Sequence, residues 1–458
     1  MQNITHIKPG FFGRLKLIYD FSRNPIAVFE NLQKHGDMVL LELFGSRQYV
    51  MFHPDMYHDV LVNEAEKFHK DAQYTSEEIG LAFFLGQGLL TSNGDFWKRQ
   101  RKLAQPAFHT RRINAYAETM VEYTTKMLDG WQNGEIRDID EEMMRVTLNI
   151  VAKTLFNAEI AEDAERIGRA LTTLQHMFTE MDLFPAWWPK PKRRLYQQAL
   201  DDLNDVVYRM MNERRKNGTI EDEGDLLSML MLAEDENGER MSDRQVRDEA
   251  VTIILAGHET TANALNWTWY LLSQHPQIEA KLHDEIDSVL QGRVPTLADL
   301  RQLPYTEVVI KEAMRLYPPA YGISRWAIAE AEVGGYTIPA KSVANVLAYN
   351  VHRDSRWWDE PLAFRPERWE SGEEPRHRYA YIPFGGGPRV CIGQSFAMME
   401  ACLLLATIAQ RYRLSLAPGK RVIPEPLITL RPKNGLQMRL TERQPMPKAQ
   451  PQMESALT

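Results

Sequence analysis

Ten residues toward the C-terminal end, Phe384-Gly-Gly-Gly-Pro-Arg-Val-Cys-Ile-Gly393, combine a flexible backbone with a reactive side chain. Gly385, Gly386 and Gly387 allow a tight turn that bulkier residues resist, and Gly393 lets the following segment lie close to a flat ligand. A helical pattern runs from Gln394 to Gln410, so Cys391 stands at a helix N-terminus, where backbone N–H groups and the helix dipole favour a thiolate. A thiolate is the form in which sulfur binds a metal ion. Taken singly, a cysteine is more often an ordinary buried residue. A phosphate-binding loop is the other glycine-rich option, but there is no Gly-Lys-Ser/Thr ending and no parallel-strand unit in front.

A second constellation is Ala256-Gly-His-Glu-Thr-Thr261. Ala256 and Gly257 are small enough for a planar or diatomic ligand to approach the backbone. The Thr260 hydroxyl is able to bond a carbonyl one turn back, which predicts a local bulge. Glu259 beside it completes an acid–alcohol pair suited to passing protons; the plainer alternative is a packed threonine beside a solvent-facing glutamate. Glu312 and Arg315 stand three apart on one helix face, the spacing of a bidentate ion pair. Trp97-Lys-Arg-Gln-Arg101, Arg325 and Arg389 read singly as surface charge.

These residues need elements to hold them. Ser242-Asp-Arg-Gln245 is a capping box, and His275-Pro276 is a stop. The roughly thirty residues between them predict a helix on the order of 45 Å long, the spine of the domain. Val39 to Phe44 and Tyr49 to Phe52 read as a hairpin through Gly45-Ser46, and Pro54 opens a short helix. From about Phe96 to Leu290 helical periodicity dominates, broken at Asn217-Gly218 and at Glu221 to Asp225. A shorter helix after Pro304 carries Glu312 and Arg315, and Val333 to Pro339 and Ser342 to Ala348 read as strands. Residues 1–440 form one domain. The polar, Pro-rich tail 441–458 is expected to be disordered, or to be the stub of a linker.

Composition narrows the function. A formal charge of −8 on 458 residues argues against binding nucleic acid. Two cysteines, Cys391 and Cys402, make no disulfide framework and fit a reducing cytoplasm. No signal peptide or membrane-spanning stretch is apparent, so a soluble, cytoplasmic protein is expected. Phe184-Pro-Ala-Trp-Trp188, followed by Lys190, Lys192, Arg193 and Arg194, is either a loose membrane contact or an aromatic turn with a basic rim.

The cysteine loop resembles the signature Phe-x-x-Gly-x-x-x-Cys-x-Gly of the cytochrome P450 family, matched at Phe384, Gly387, Cys391 and Gly393. Ala256 to Thr260 matches the family's Ala/Gly-Gly-x-Asp/Glu-Thr pattern, and Glu312-x-x-Arg315 with Pro366-Glu-Arg-Trp369 matches its buried ion network. The resemblance spans about residues 5 to 440. It implies a mainly α cytochrome P450 fold, a large helical domain with a small β-rich N-terminal lobe, holding haem b (iron protoporphyrin IX) with Cys391 as the iron ligand. Trp97, Arg101, Arg325 and Arg389 would hold the propionates; Phe384, Gly385, Ala256 and Gly257 would face the macrocycle. Thr260 and Glu259 would serve oxygen activation, while Glu312, Arg315 and Arg368 would support the fold. His258 stays outside the site, because the family leaves that position unligated.

By the same comparison Leu90, Ile253, Ala256, Ala320, Gly322, Ile323 and Ile428 would wall the substrate pocket. The activity implied is hydroxylation of a lipophilic small molecule, a fatty acid, terpenoid or steroid, using O2 and two electrons. The electrons would come from a ferredoxin or flavodoxin type donor with its reductase, meeting a cationic strip of Lys98, Arg99, Lys102, Arg111 and Arg112. A monomer without a nucleic-acid partner is expected. The alternative is a haem-based sensor or binding protein that never turns over.

Overall fold

A 32-residue helix, Asp243–Gln274, runs through the middle of the molecule. The Ser242 hydroxyl accepts the backbone N–H of Gln245, and the Gln245 side chain returns a bond to the Ser242 N–H, so the predicted capping box forms in full. Pro276 opens the next helix, Pro276–Leu290, and ends the spine. Between Val246 and Leu272 the spine is buried except at Ala256, Gly257, Thr260 and Tyr270. A helix buried on all sides needs neighbours on all sides. Its most extensive one is the helix Ile139–Phe156, and Pro304–Leu316 and Gln394–Arg411 also pack on it. The bulge expected at Thr260 is absent: the helix stays α-helical throughout, and the Thr260 hydroxyl donates to the Ala256 carbonyl at 2.7 Å without opening it.

The computed structural model describes residues 4–43, 45–78, 80–157, 166–174, 193–215, 220–370, 372 and 375–443. The segment 184–188 with Lys190 and Lys192, the break at Asn217-Gly218, and residues 444–458 of the expected disordered tail lie outside them. Thr441 and Glu442, assigned to that tail, belong instead to the strand Gln437–Glu442, paired with Arg413 and Tyr412.

The predicted hairpin is Met38–Leu43 with Ser46–Met51, in register Leu40 opposite Tyr49. It belongs to a six-stranded sheet that continues through Val343–Val346 and Ile323–Ala327 to Phe68–His69, with Thr5–Ile7 on the other edge. The β-rich lobe is therefore not purely N-terminal, since two of its strands arrive from beyond residue 320. Val333 to Pro339 is not one strand: Val333 ends the strand Ala331–Val333, Gly334-Gly335 turns, and Tyr336–Ile338 pairs back on it as a hairpin. Gly334 and Gly335 take positive φ values of 57° and 77°, as such a two-residue turn requires. Among the described residues one strand, Ile136–Asp138, interrupts the region read as helical; it is three residues long and pairs with Gln437–Arg439.

Glu312, Arg315 and Arg368 meet away from solvent. Arg315 also donates to the carbonyls of His352, Pro361 and Ala363, and Arg368 to that of Asp359. The Arg365 N–H and the Trp369 indole complete the shell of Glu312. A buried ion pair gains little by itself, but these bonds fix the course of residues 352–369. His352, whose Nε2 faces the Ile382 N–H at 2.9 Å, ties that segment to the start of the cysteine loop.

Candidate functional site

The cysteine loop folds back on itself: the Cys391 N–H donates to the Phe384 carbonyl at 3.0 Å and the Gly385 N–H to that of Ile382 at 3.0 Å. Gly387 has φ 66°, and a Cβ there would lie 1.7 Å from the Leu61 carbonyl oxygen. That position accepts only glycine. The loop delivers Cys391 two residues before Gly393, the N-cap of Gln394–Arg411. Cys391 exposes surface although it lies deep in the protein, because the surface it exposes is the wall of an internal cavity of about 360 Å³.

Contrary to the expectation of a ready thiolate, burial pushes the Cys391 thiol up. The Gly393 N–H and the Arg101 charge oppose that shift without overcoming it. Desolvation outweighs the helix terminus, so a metal ion is what would complete the thiolate, with release of a proton.

Across the cavity lie Ala256, Gly257, Glu259 and Thr260 of the spine. Ala256 is the one exposed residue of the spine between Val246 and Leu272, and the surface it shows is this cavity. Gly257 serves a second need: a Cβ there would stand 3.1 Å from Val151, so its smallness also admits the neighbouring helix. Glu259 does not face solvent; it is 2% exposed and accepts a 2.5 Å bond from the Thr429 hydroxyl, which itself accepts from Asn263 at 2.9 Å. His258 is buried outside the lining, with Nδ1 2.7 Å from the Ile254 carbonyl, and burial pushes its pKa down to about 4, leaving it neutral.

One end of the cavity collects cations. Arg101, Arg325 and Arg389 are there, and so is Lys70, which sequence reasoning missed. Arg389 lies 4.2 Å over the ring of Trp97 and donates to the Ser92 carbonyl and Asn93; Arg325 donates to the Ser324 carbonyl, and Lys70 to the Leu89 carbonyl. Burial holds all four below their ordinary pKa values, and for Lys70 and Arg389 the neighbouring arginines add to it. Two acids, Asp71 and Glu249, stand near these four cations. Asp71 is itself pushed up by burial, as is Glu249, to about 8, and Glu249 spends one oxygen on the Leu89 N–H at 3.0 Å. A buried, under-neutralised cluster of this kind requires an anionic ligand. The two propionates of haem would meet that requirement, with Lys70, Arg101, Arg325 and Arg389 as their partners, so the residues present fit the group.

The apolar wall gathers the expected Leu90, Ile253, Ala320, Gly322, Ile323 and Ile428, together with Leu89 and Tyr74. The segment carrying Leu89 and Leu90 is pinned to the spine, its Gln87 and Leu89 N–H groups donating to Asp248 and Glu249.

Four residues of the cationic strip have acidic partners. Arg99 pairs with Asp235 at 2.6 Å, Lys102 with Glu236, Arg112 with Asp222 at 3.0 Å, and Lys98 with Asp95 at 3.1 Å. Among the described residues only Arg111 of the five lacks such a pair. Acids more than a hundred residues downstream pair with Arg99, Lys102 and Arg112, while the Lys98 and Lys102 side chains stay 66% and 69% exposed.

The family model for cytochrome P450 matches residues 9–439, and the chain belongs to that family. Its members are haem-thiolate monooxygenases, so the protein is an oxidoreductase whose cofactor is haem b. Among curated relatives, cyclooctatin synthase of Streptomyces melanosporofaciens is 38% identical over 89% of this chain and 90% of its own. Cyclooctat-9-en-7-ol 5-monooxygenase of the same organism is 37% identical, over 91% and 90%. Pentalenene oxygenase of Streptomyces avermitilis is 34% identical, over 95% and 97%. The crystal structure of the haem domain of a cytochrome P450 mutant superposes with a TM-score of 0.86 at 27% identity, covering 97% of this chain and 99% of that one. No helix among the described residues is long and apolar enough to cross a membrane.

Proposed function

We propose that this monooxygenase hydroxylates a terpenoid. The observation that carries the reading is the wall of Leu89, Leu90, Ile253, Ala320, Ile323 and Ile428 on the cavity that also holds Cys391 and Ala256. Such a surface holds a hydrocarbon skeleton by burial alone, about 25 cal/mol per Å² of apolar area. Relatives named for cyclooctatin, cyclooctat-9-en-7-ol and pentalenene favour the terpenoid class over fatty acids and steroids.

In this reading Cys391 is the iron ligand. Lys70, Arg101, Arg325, Arg389 and the Trp97 edge hold the propionates. The bound haem supplies dioxygen activation and insertion of one oxygen atom into a C–H bond. The chain orients the substrate, excludes stray water and delivers protons: Glu259, at the border of the cavity, exchanges its bond to Thr429 for one toward the cavity, and the Thr260 hydroxyl, turning from the Ala256 carbonyl, accepts a proton as it gives its own into the cavity. Electrons are supplied by a ferredoxin or flavodoxin type donor with its reductase, one electron at a time.

A panel of cyclic terpenes, fatty acids and steroids titrated into the ferric protein tests this. Terpenes are expected to shift the haem spin state at micromolar concentration and to yield a mono-oxygenated product with a reconstituted donor. A panel in which only fatty acids or steroids bind and turn over defeats the assignment. The carbon monoxide difference spectrum of the reduced protein must show the thiolate band, and Cys391→Ala must lose it.

A further inference from the structure

The helix Phe11–Arg23 buries none of its thirteen residues. Phe11 is 65% exposed, Phe12 83%, Leu15 46% and Tyr19 57%, whereas the other exposed large apolar residues beyond Phe21 are scattered along the chain. Isolated exposures need no explanation, but a contiguous patch does.

Helical geometry divides this helix in two. Leu17 packs against the cluster containing Val28, Phe29 and Leu32, and the Phe21 ring lies 5.5 Å from that of Phe29; this side meets the body of the protein. At about 100° per residue, Phe11, Leu15, Tyr19 and Phe12 fall on the opposite side, within an arc of about 100°. Lys16 and Arg23 border that arc on one edge and Arg14 on the other. Lys16 pairs with Asp20 at 2.8 Å, Arg23 donates to the Tyr19 hydroxyl at 2.8 Å, and Arg14 donates to the Pro9 carbonyl at 2.9 Å. The helix carries three cations against one anion in a chain whose formal charge is −8.

We propose that this helix docks the enzyme on an anionic lipid surface, lying in the plane of the interface with its aromatic side sunk among the headgroups. Large apolar side chains on one face, bordered by Lys and Arg, are what such a surface binds. The patch is a ridge and offers a peptide no groove. A second copy of the chain would set one cationic border against another. The inference uses no residue of the cavity and stands apart from the reading of its substrate.

Sedimentation of the full-length, haem-loaded protein with vesicles tests it, using pure phosphatidylcholine and phosphatidylcholine mixed with phosphatidylglycerol. The expected result is binding to the mixed vesicles that weakens with added salt and is much lower on the neutral ones. The double variant Phe11→Ser, Phe12→Ser should reduce binding at least tenfold, from two large side chains no longer buried. Its melting temperature and carbon monoxide spectrum should match wild type, because Phe11 and Phe12 lie on the exposed side of the helix, away from the contacts of Leu17 and Phe21. Lys16→Glu with Arg23→Glu should remove the preference for phosphatidylglycerol. The proposal is overturned if the wild type ignores the mixed vesicles, if the Phe variant binds them equally well, or if sedimentation velocity shows a dimer that the Phe variant dissolves.

Discussion

Arg315 meets Glu312 side-on, through its Nε and one Nη, in two parallel 2.8 Å hydrogen bonds, and neither side chain exposes any surface. Glu312→Gln would leave Arg315 and Arg368 facing an amide in a dry interior. Removing one partner of a buried pair costs about 3–5 kcal/mol, so the variant should unfold at markedly lower denaturant and lose haem on gel filtration. A variant as stable as wild type would show that the carbonyls of residues 352–363 satisfy both guanidinium groups unaided.

Two glycines of the cysteine loop should respond differently to alanine. At Gly387 the added Cβ would stand 1.7 Å from backbone, at φ 66°; at Gly385 the backbone is similar, φ 73°, but the nearest atom is the flexible end of Ile323 at 3.5 Å. Gly385→Ala therefore carries only the left-handed penalty of about 1–2 kcal/mol. Gly387→Ala adds a clash that moves the loop, about 1–3 kcal/mol more. Thermal melts should rank them in that order, with the thiolate band lost or much reduced only in Gly387→Ala.

The four cations at the cavity's end make a prediction with opposite signs in two states. Burial, with Arg325 and Arg101, pushes Arg389 down to about 10, so in the cofactor-free chain this charge is a burden. Arg389→Gln should leave the cofactor-free protein at least as stable as wild type. It should also weaken haem retention about 10–100-fold, the worth of one charge-assisted hydrogen bond of roughly 1.5–3 kcal/mol. Haem transfer to apomyoglobin measures the second quantity and denaturation of stripped protein the first. Equal retention by variant and wild type would remove Arg389 from the propionate set.

What was readable in the sequence, and what was not, follows from how far each signal reaches along the chain. The spine's ends are local, a capping box at Ser242 and a stop at Pro276, and both stand where expected. The cysteine loop is local too. Lys70 carries no local signal: its place is set by a short strand, a loop pinned to the spine and an arginine more than three hundred residues away. The strip from Lys98 to Arg112 reads as unpaired for the same reason, because the acids that pair with Arg99, Lys102 and Arg112 arrive from residues 222–236. The Cys391 thiol misleads in a different way: a helix N-terminus is visible in sequence, whereas the depth of burial that opposes it is not.

His258 sits next to Glu259 and yet belongs to the core, which makes it a clean pH probe. Its folded pKa of about 4 lies below the 6.5 of an unfolded histidine, so between these values the unfolded chain binds more protons. The stability of the neutral ring is therefore complete above pH 6.5 and lost as pH falls toward 4, by up to about 3 kcal/mol. His258→Gln should narrow the difference in unfolding free energy between pH 7 and pH 4 by that order, while leaving the thiolate band unchanged at pH 7. A variant with the wild-type pH profile would show that the ring is reached by water.

Thr260 and Glu259 make the proton-delivery reading testable without knowledge of the substrate's identity. In the structure each is engaged with a neighbour, Thr260 with the Ala256 carbonyl at 2.7 Å and Glu259 with Thr429 at 2.5 Å, so both must turn to serve the cavity. Thr260→Ala removes the hydroxyl and lets electrons drain into hydrogen peroxide; the peroxide formed per NADPH consumed should rise severalfold while substrate binding, read from the spin-state shift, stays the same. Thr429→Val removes the donor that holds Glu259 away from the cavity. If that bond restrains the carboxylate, the solvent isotope effect on turnover should change in Thr429→Val and revert when Glu259→Gln is added. Unchanged coupling in Thr260→Ala would limit its hydroxyl to a packing role and move proton delivery elsewhere in the cavity.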